Sequence, residues 1–217
     1  MISSERDGHN RGAAGLAVFA SGAGTTLENL VAACADGRIP GRVRLVLTDR
    51  PGIRAIEVAA RSAIPAKILD WKECGGAEAF SIAAFAEAER SGCELILLAG
   101  FLRKLQIPDA WLGRVLNIHP ALLPLFGGQS MYGRRVHEAV IASGMRVSGC
   151  TVHYADEAYD RGPIIVQSAV PVFLDDNAES LEARVRLAEN EAYPRAVRLL
   201  LEGRARLEAI RPASTDR

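Results

Sequence analysis

The sequence predicts an α/β fold of Rossmann-like type: a mostly parallel central sheet with helices on both faces, then a C-terminal β-hairpin-like pair plus helix. Three observations predict it. Short, continuous apolar runs at residues 16–20 and 95–99, and a mostly apolar one at 43–47, read as strands buried on both faces. Segments with apolar residues at helical spacing alternate with those runs, as in βαβ units. Glycine or proline punctuates the ends of the runs. With 217 residues, 49% hydrophobic and 24% charged, the chain can build one sizeable core.

Residues 16–20 form the first expected strand, and Ser21-Gly22-Ala23-Gly24-Thr25-Thr26 follows at once. Leu27, Leu30, Val31 and Cys34 then recur at helical spacing. Strand, glycine-rich turn and helix together aim backbone N–H groups at an anion. Gly22 and Gly24 permit close backbone approach, while Thr25 and Thr26 add hydroxyl donors and an expected N-cap. Leu27 stands where a dinucleotide fingerprint has its third glycine, and no Gly-Lys-Ser/Thr follows. One terminal phosphate monoester fits this turn better; a tight turn without any ligand fits it equally well.

Further along, residues 43–47 read as a strand, 53–61 as a helix, 66–69 as a short strand and 77–90 as an alanine-rich helix. The apolar run 95–99 leads into Gly100-Phe101-Leu102-Arg103-Lys104-Leu105. Val115-Leu116-Asn117-Ile118-His119 reads as a strand closed by Pro120. After the glycine-rich loop 127–133, Val136, Ala139 and Val140 mark a helix; His137 on it reads as a packing or surface residue. Residues 147–154 and 164–172 read as two strands around an acidic loop holding Asp156, Glu157 and Asp160. Asp176 and Glu179 are spaced as a capping box for a helix with Leu181, Val185, Ala188 and Ala192 on one face. Pro194 is expected to kink or interrupt that helix, and Arg184, Arg186 and Glu189 read as its solvated face.

Ligands in parallel sheets sit beyond the carboxyl ends of the strands. Three such ends therefore converge on one crevice: residues 21–26, residues 100–105, and Asn117 with His119. Residues two apart on a strand share a face, so the Asn117 amide and the His119 imidazole look into one space. An amide donor and a titratable ring facing one cavity can stabilise an oxyanion and move a proton.

Lys plus Arg balances Asp plus Glu at 26 each, so nothing marks a broad nucleic-acid or membrane surface. Cys34, Cys74, Cys93 and Cys150 are scattered with no CxxC, which argues against zinc and against a disulfide framework and suggests the cytoplasm. Residues 1–15 are expected as a flexible leader and 206–217 as a tail, around a single domain at 16–205.

Asn117-Ile118-His119-Pro120-Ala121-Leu122-Leu123-Pro124 resembles the signature of folate-dependent formyltransferases. The likeness extends to Leu98-Ala99-Gly100-Phe101-Leu102-Arg103 upstream. Downstream it takes in Thr151-Val152-His153-Tyr154, Asp160-x-Gly162-Pro163-Ile164-Ile165 and Gln167. The resemblance implies formyl transfer from 10-formyltetrahydrofolate, as co-substrate and without a metal. The acceptor it implies is the amine of 5-phosphoribosylglycinamide, in de novo purine synthesis. It implies Asn117 as oxyanion donor, His119 as proton carrier, and Asp160 as the carboxylate raising the histidine's pKa. Gly24, Thr25 and Thr26 match the phosphate-binding turn, and Glu189 a carboxylate that binds the glycinamide substrate. Leu102, Arg103, Lys104 and Leu105, with Asn117, match the folate site.

The domain then divides into a phosphate-binding half, about 16–116, and a catalytic and folate half, about 117–205. The expected partners are the two small molecules, with no nucleic acid and no membrane, in a monomer or homodimer. The chain departs from the pattern at Ala23, Thr25 and Thr26 in the phosphate turn, and at Ala77, where a folate-contacting arginine would align. The rival readings are a formyltransferase for another acceptor, a formyltetrahydrofolate hydrolase, and a non-catalytic folate- or nucleotide-binding module.

Overall fold

A computed structural model describes residues 13–156 and 158–205. Most of the expected leader, the tail and Glu157 therefore lie outside the described residues. Seven strands form one sheet in the order β3-β2-β1-β4-β5-β6-β7. Strands β1 (Ala14–Ala20), β2 (Gly41–Thr48), β3 (Ala66–Ile68), β4 (Leu95–Leu98) and β5 (Val115–His119) run parallel. Strands β6 (Val147–Tyr154) and β7 (Ile164–Pro171) continue the sheet antiparallel, as the expected hairpin-like pair. The helices are α1 (Thr25–Ala35), α2 (Arg54–Arg61), α3 (Ala77–Arg90), α4 (Arg134–Ala142) and α5 (Ala178–Leu201).

The central parallel strands β1 and β4 are apolar on both sides because both sides are covered. Leu16, Val18 and Ala20 of β1 pack with residues of α1, α2 and α5, while Ala17 and Phe19 pack with Phe80 and Phe85 of α3 and with Trp111. From β1 the chain moves outward through β2 and β3, then returns to β4 on the other side of β1. That reversal opens a crevice at the carboxyl ends of β1 and β4.

Three details differ from expectation. Strand β1 starts at Ala14, two residues before the apolar run, because Ala14 and Gly15 pair with Gly41 and Arg42 of β2. Helix α5 opens one residue later than a box on Asp176 and Glu179 requires. Asn177 Oδ1 accepts from the N–H groups of Glu179 and Ser180 at 3.0 Å each, and the Asn177 N–H donates to Ser180 Oγ at 3.1 Å. Asp176 is drawn away into a bidentate pair with Arg184, at 2.6 and 2.9 Å.

Pro194 does not interrupt α5. The Asn190 carbonyl, four residues back, loses the N–H that proline lacks. It accepts instead from Asn29 Nδ2 at 3.1 Å and Arg38 Nη1 at 3.3 Å. One residue earlier, the buried Tyr193 hydroxyl lies 3.1 Å from the Leu98 carbonyl and 3.0 Å from that of Leu116. This fastens α5 to β4 and β5 beside the crevice. Among the described residues, no helix is long and apolar enough to cross a membrane.

Candidate active site

The three strand ends meet at a cavity of about 550 Å³. Thr25 and Thr26 border it from β1 and α1; Leu102, Arg103, Lys104 and Leu105 from the end of β4; Asn117 and His119 from β5. Asp160 enters from the β6–β7 loop and Glu189 from α5. Of the residues expected at the site only Gly24 does not border the cavity.

Asp160 is the hub. Its Oδ2 accepts the Gly128 N–H at 2.9 Å and lies 3.4 Å from His119 Nδ1. Its Oδ1 accepts from Asn117 Nδ2 at 3.3 Å. A carboxylate 41 positions beyond His119 in sequence thus touches both residues of the strand-end pair. Gly127 makes room for this: a Cβ there would fall 2.5 Å from Leu123 Cδ2 and 3.2 Å from Asp160 Cβ.

Hydrogen-bond partners fix the ring of His119. The Phe126 carbonyl, 2.8 Å from Nε2, can only accept, so Nε2 carries a proton. Nδ1 is left facing Asp160. Burial pushes the His119 imidazole below its ordinary range; Asp160 and the Phe126 carbonyl pull upward, and His153 pushes further down. Asp160 pulls the histidine upward as expected, but the net direction is down. The ring is 3% exposed, and desolvation of the cation outweighs a carboxylate at 3.4 Å. For Asp160 burial pushes up, but His153, His119 and the Gly128 N–H hold the carboxyl below the usual range.

His153, opposite Asn117 across the β5–β6 ladder, completes the cluster. The Tyr154 carbonyl, 2.8 Å from Nδ1, accepts a hydrogen bond from it, leaving Nε2 to accept from Asn117 Nδ2 at 3.1 Å. Both Nδ2 hydrogens of Asn117 therefore have acceptors within the protein, and the longer one, to Asp160, is the one a ligand oxyanion can take over. The turn after His119 is locked by Thr151, whose Oγ1 donates to the Ala121 carbonyl at 2.7 Å and accepts from Leu123 N–H at 3.0 Å.

At the β1 end, Gly24 has φ 74°, and a Cβ there would lie 2.9 Å from Ala55 Cα, so glycine is required. Gly24 itself takes the N-cap position, with no side-chain cap on the first turn of α1. Thr25 is thus the first helical residue, not the expected cap, and with Thr26 it lies along the cavity.

The segment after β4 is held from outside. Leu102 N–H donates to Ser21 Oγ at 3.0 Å, and Arg103 Nε donates to Asp49 Oδ2 at 2.6 Å. Asp49 is 1% exposed and also pairs with Arg50 at 3.0 Å. Burial pushes its carboxyl up, but Arg50, Arg103 and Ser21 together hold it below the usual range. Arg103 lies over the Trp71 ring at 5.0 Å and Lys104 over Tyr159 at 5.7 Å.

Glu189 is no solvated-face residue. It lies along the cavity, and burial pushes its carboxyl up to about 7, against a pull from Arg186. His137 is likewise no surface residue: it is 2% exposed and borders the same cavity. Sequence reasoning missed His153, Asp49 and Ser21 as supports. Only the β5–β6 pairing and the ends of β1 and β2 reveal them.

A family model described as "Formyl transferase" matches residues 14–197. The trifunctional purine biosynthetic protein adenosine-3 of Gallus gallus is 40% identical over 190 residues, covering 87% of this chain and 18% of that protein. The chloroplastic phosphoribosylglycinamide formyltransferase of Arabidopsis thaliana is 38% identical over 192 residues, covering 87% of this chain and 66% of that protein. The chain therefore spans only part of the length of these relatives. A crystal structure of glycinamide ribonucleotide transformylase 1 from Symbiobacterium toebii superposes with a TM-score of 0.85 at 37% identity, covering 94% of each chain.

Proposed function

The chain belongs to the formyl transferase family, and from that premise we propose that it transfers the formyl group of 10-formyltetrahydrofolate to the amine of 5-phosphoribosylglycinamide. The observation that carries this reading is the contact of Asp160 with both His119 and Asn117 at the wall of a cavity open to three strand ends.

The acceptor's phosphate lies at the Thr25–Thr26 turn, where an uncapped helix start offers backbone N–H groups. The reduced folate lies along Leu102, Arg103, Lys104 and Leu105. The neutral amine attacks the formyl carbon, and the carbonyl electrons move onto oxygen. Asn117 Nδ2 turns its hydrogen from Asp160 to that oxyanion. The nitrogen, now cationic, gives a proton to His119 Nδ1, the ring nitrogen left unprotonated at rest. The resulting imidazolium lies beside the Asp160 carboxylate. As the oxyanion collapses, the bond from carbon to the folate nitrogen breaks, and His119 returns the proton to the departing nitrogen. Proton transfer of this kind contributes about 10²–10⁴-fold, and one oxyanion donor about 10²–10³-fold. The two small molecules suffice as partners, in the cytoplasm as the scattered cysteines suggest.

The test is turnover of the purified chain with both substrates, followed by folate absorbance. Formation of tetrahydrofolate and of the N-formyl product is expected. His119→Ala should keep the fold and folate binding while its rate falls by about 10²–10⁴-fold. Turnover with a different amine but none with this one rejects the acceptor. An unchanged rate in the variant removes His119 from the proposed mechanism, and binding without turnover of any amine leaves a binding module as the reading.

A further inference from the structure

Three described histidines are buried at this site: His119, His137 and His153. Two of them place a ring nitrogen on a backbone carbonyl, that of Phe126 or Tyr154. His137 does not. Its Nδ1 is shut off from solvent and has no hydrogen-bond partner among the described residues. Buried polar atoms are nearly always paired, so an orphan in a cavity wall needs a reason.

The ring sits on α4 where that helix packs on α5, and it borders the cavity together with Glu182, Arg186 and Glu189 of α5. Arg186 is already bound to Glu182 one turn away. Glu189 borders the same cavity with a carboxyl that burial has pushed up to about 7. Nδ1 itself has no accessible surface, so a ligand in the cavity meets the ring at its other nitrogen, or at Nδ1 once the ring turns.

We propose that His137 is an acceptor-binding residue, whose ring reads a hydroxyl of the acceptor's sugar in the cavity that Glu189 also borders. The assignment rests on the function proposed above. Three arguments choose a hydroxyl over the acceptor's other groups. Burial, Arg186 and His119 all push the imidazole below its ordinary range, against a pull from Glu182 alone, so the ring is neutral at neutral pH. A neutral imidazole carries one donor and one acceptor, and a hydroxyl is likewise both. A phosphate asks for donors alone and an ammonium for acceptors alone. The covalent order of the acceptor is the third argument. With the phosphate at Thr25 and Thr26 and the amine at Asn117 and His119, the sugar spans the wall between, and α5 packs on both α1 and α4 along that wall.

His137→Phe tests this, because it preserves the ring volume and removes both nitrogens. The wild type is assayed first with 5-phosphoribosylglycinamide. No turnover there sinks the function reading, and this proposal with it. With turnover established, His137→Phe should raise the acceptor KM by about 10- to 100-fold, with the folate KM and the melting temperature little changed. His137→Gln, which keeps a donor and an acceptor, should recover part of the loss. An acceptor analogue lacking the ribose hydroxyls should be used equally well by wild type and His137→Phe. In the wild type, the ring ¹⁵N signals of His137 should move on adding the natural acceptor and stay in place with the deoxy analogue, a readout independent of how the variants fold. An acceptor KM within twofold of wild type overturns the assignment. So does an equal loss on the deoxy analogue, or ring signals indifferent to the hydroxyls.

Discussion

Asp160 holds its backbone at φ 56°, in the left-handed region that aspartate enters more readily than most side chains. The conformation turns the carboxylate inward, where one oxygen takes the Gly128 N–H and the other the Asn117 amide. Strain tolerated at a site with such contacts fits the role proposed for Asp160. The charge does two things. It holds the Asn117 amide, and it opposes the desolvation that keeps His119 neutral. Asp160→Asn should therefore lower kcat/KM by about 10²–10³-fold, since the imidazolium formed during reaction loses its counter-charge. The same change removes an upward influence on the His119 pKa. If neutral His119 is the working form, the acid limb of the pH–rate profile should move to lower pH in the variant. A profile that falls in height and keeps its acid limb in place would assign Asp160 a positioning role only.

The segment from Gly100 to Leu105 shows how a loop becomes a binding edge by being tied down elsewhere. Leu102 hangs from Ser21 at the end of β1, and Arg103 from Asp49 at the end of β2. Asp49→Asn keeps the shape and removes the charge that both Arg50 and Arg103 use. The folate KM should rise by about tenfold, the equivalent of one charge-assisted hydrogen bond, while kcat stays within a few-fold. Steady-state kinetics with each substrate varied in turn checks this, and an effect confined to the acceptor KM would refute it. The central strands β1 and β4 were legible because each is covered on both faces and so reads as an unbroken apolar run. Asn117 and His119 were legible as a pair because period-two geometry needs no tertiary knowledge. What Asn190 does for Pro194 was not legible. The donors that its orphaned carbonyl accepts from are Asn29 and Arg38, more than 150 positions away in sequence. The α5 cap was missed because two overlapping Asx–x–x patterns compete, and Arg184 decides between them by taking Asp176.

Across the molecule, the site sets burial against charge, and its pH response follows from the balance. The acidic loop and the charged face of α5 looked solvated because hydrophilic residues at helical spacing give no sign that a cavity lies beside them. Glu189 is where that matters most. Its carboxyl is raised from an ordinary 4.5 to about 7, so the folded protein holds a proton that the unfolded chain releases. Its contribution to stability is fully present below pH 4.5 and is lost as pH rises through about 7. His119 and His137 act in the opposite sense. Both lie below their ordinary 6.5, so their contribution is present above that value and lost as pH falls. Glu189→Gln removes the ionisation without removing the volume. Solvent in the cavity screens the charge, so the variant should be more stable than wild type by on the order of 1–2 kcal/mol at pH 8. Below pH 4.5, where the group is neutral both folded and unfolded, the difference should vanish. Thermal melts of the two proteins across pH 4–8 measure this directly, and a difference that does not change with pH would show that the Glu189 carboxyl titrates no differently folded than unfolded.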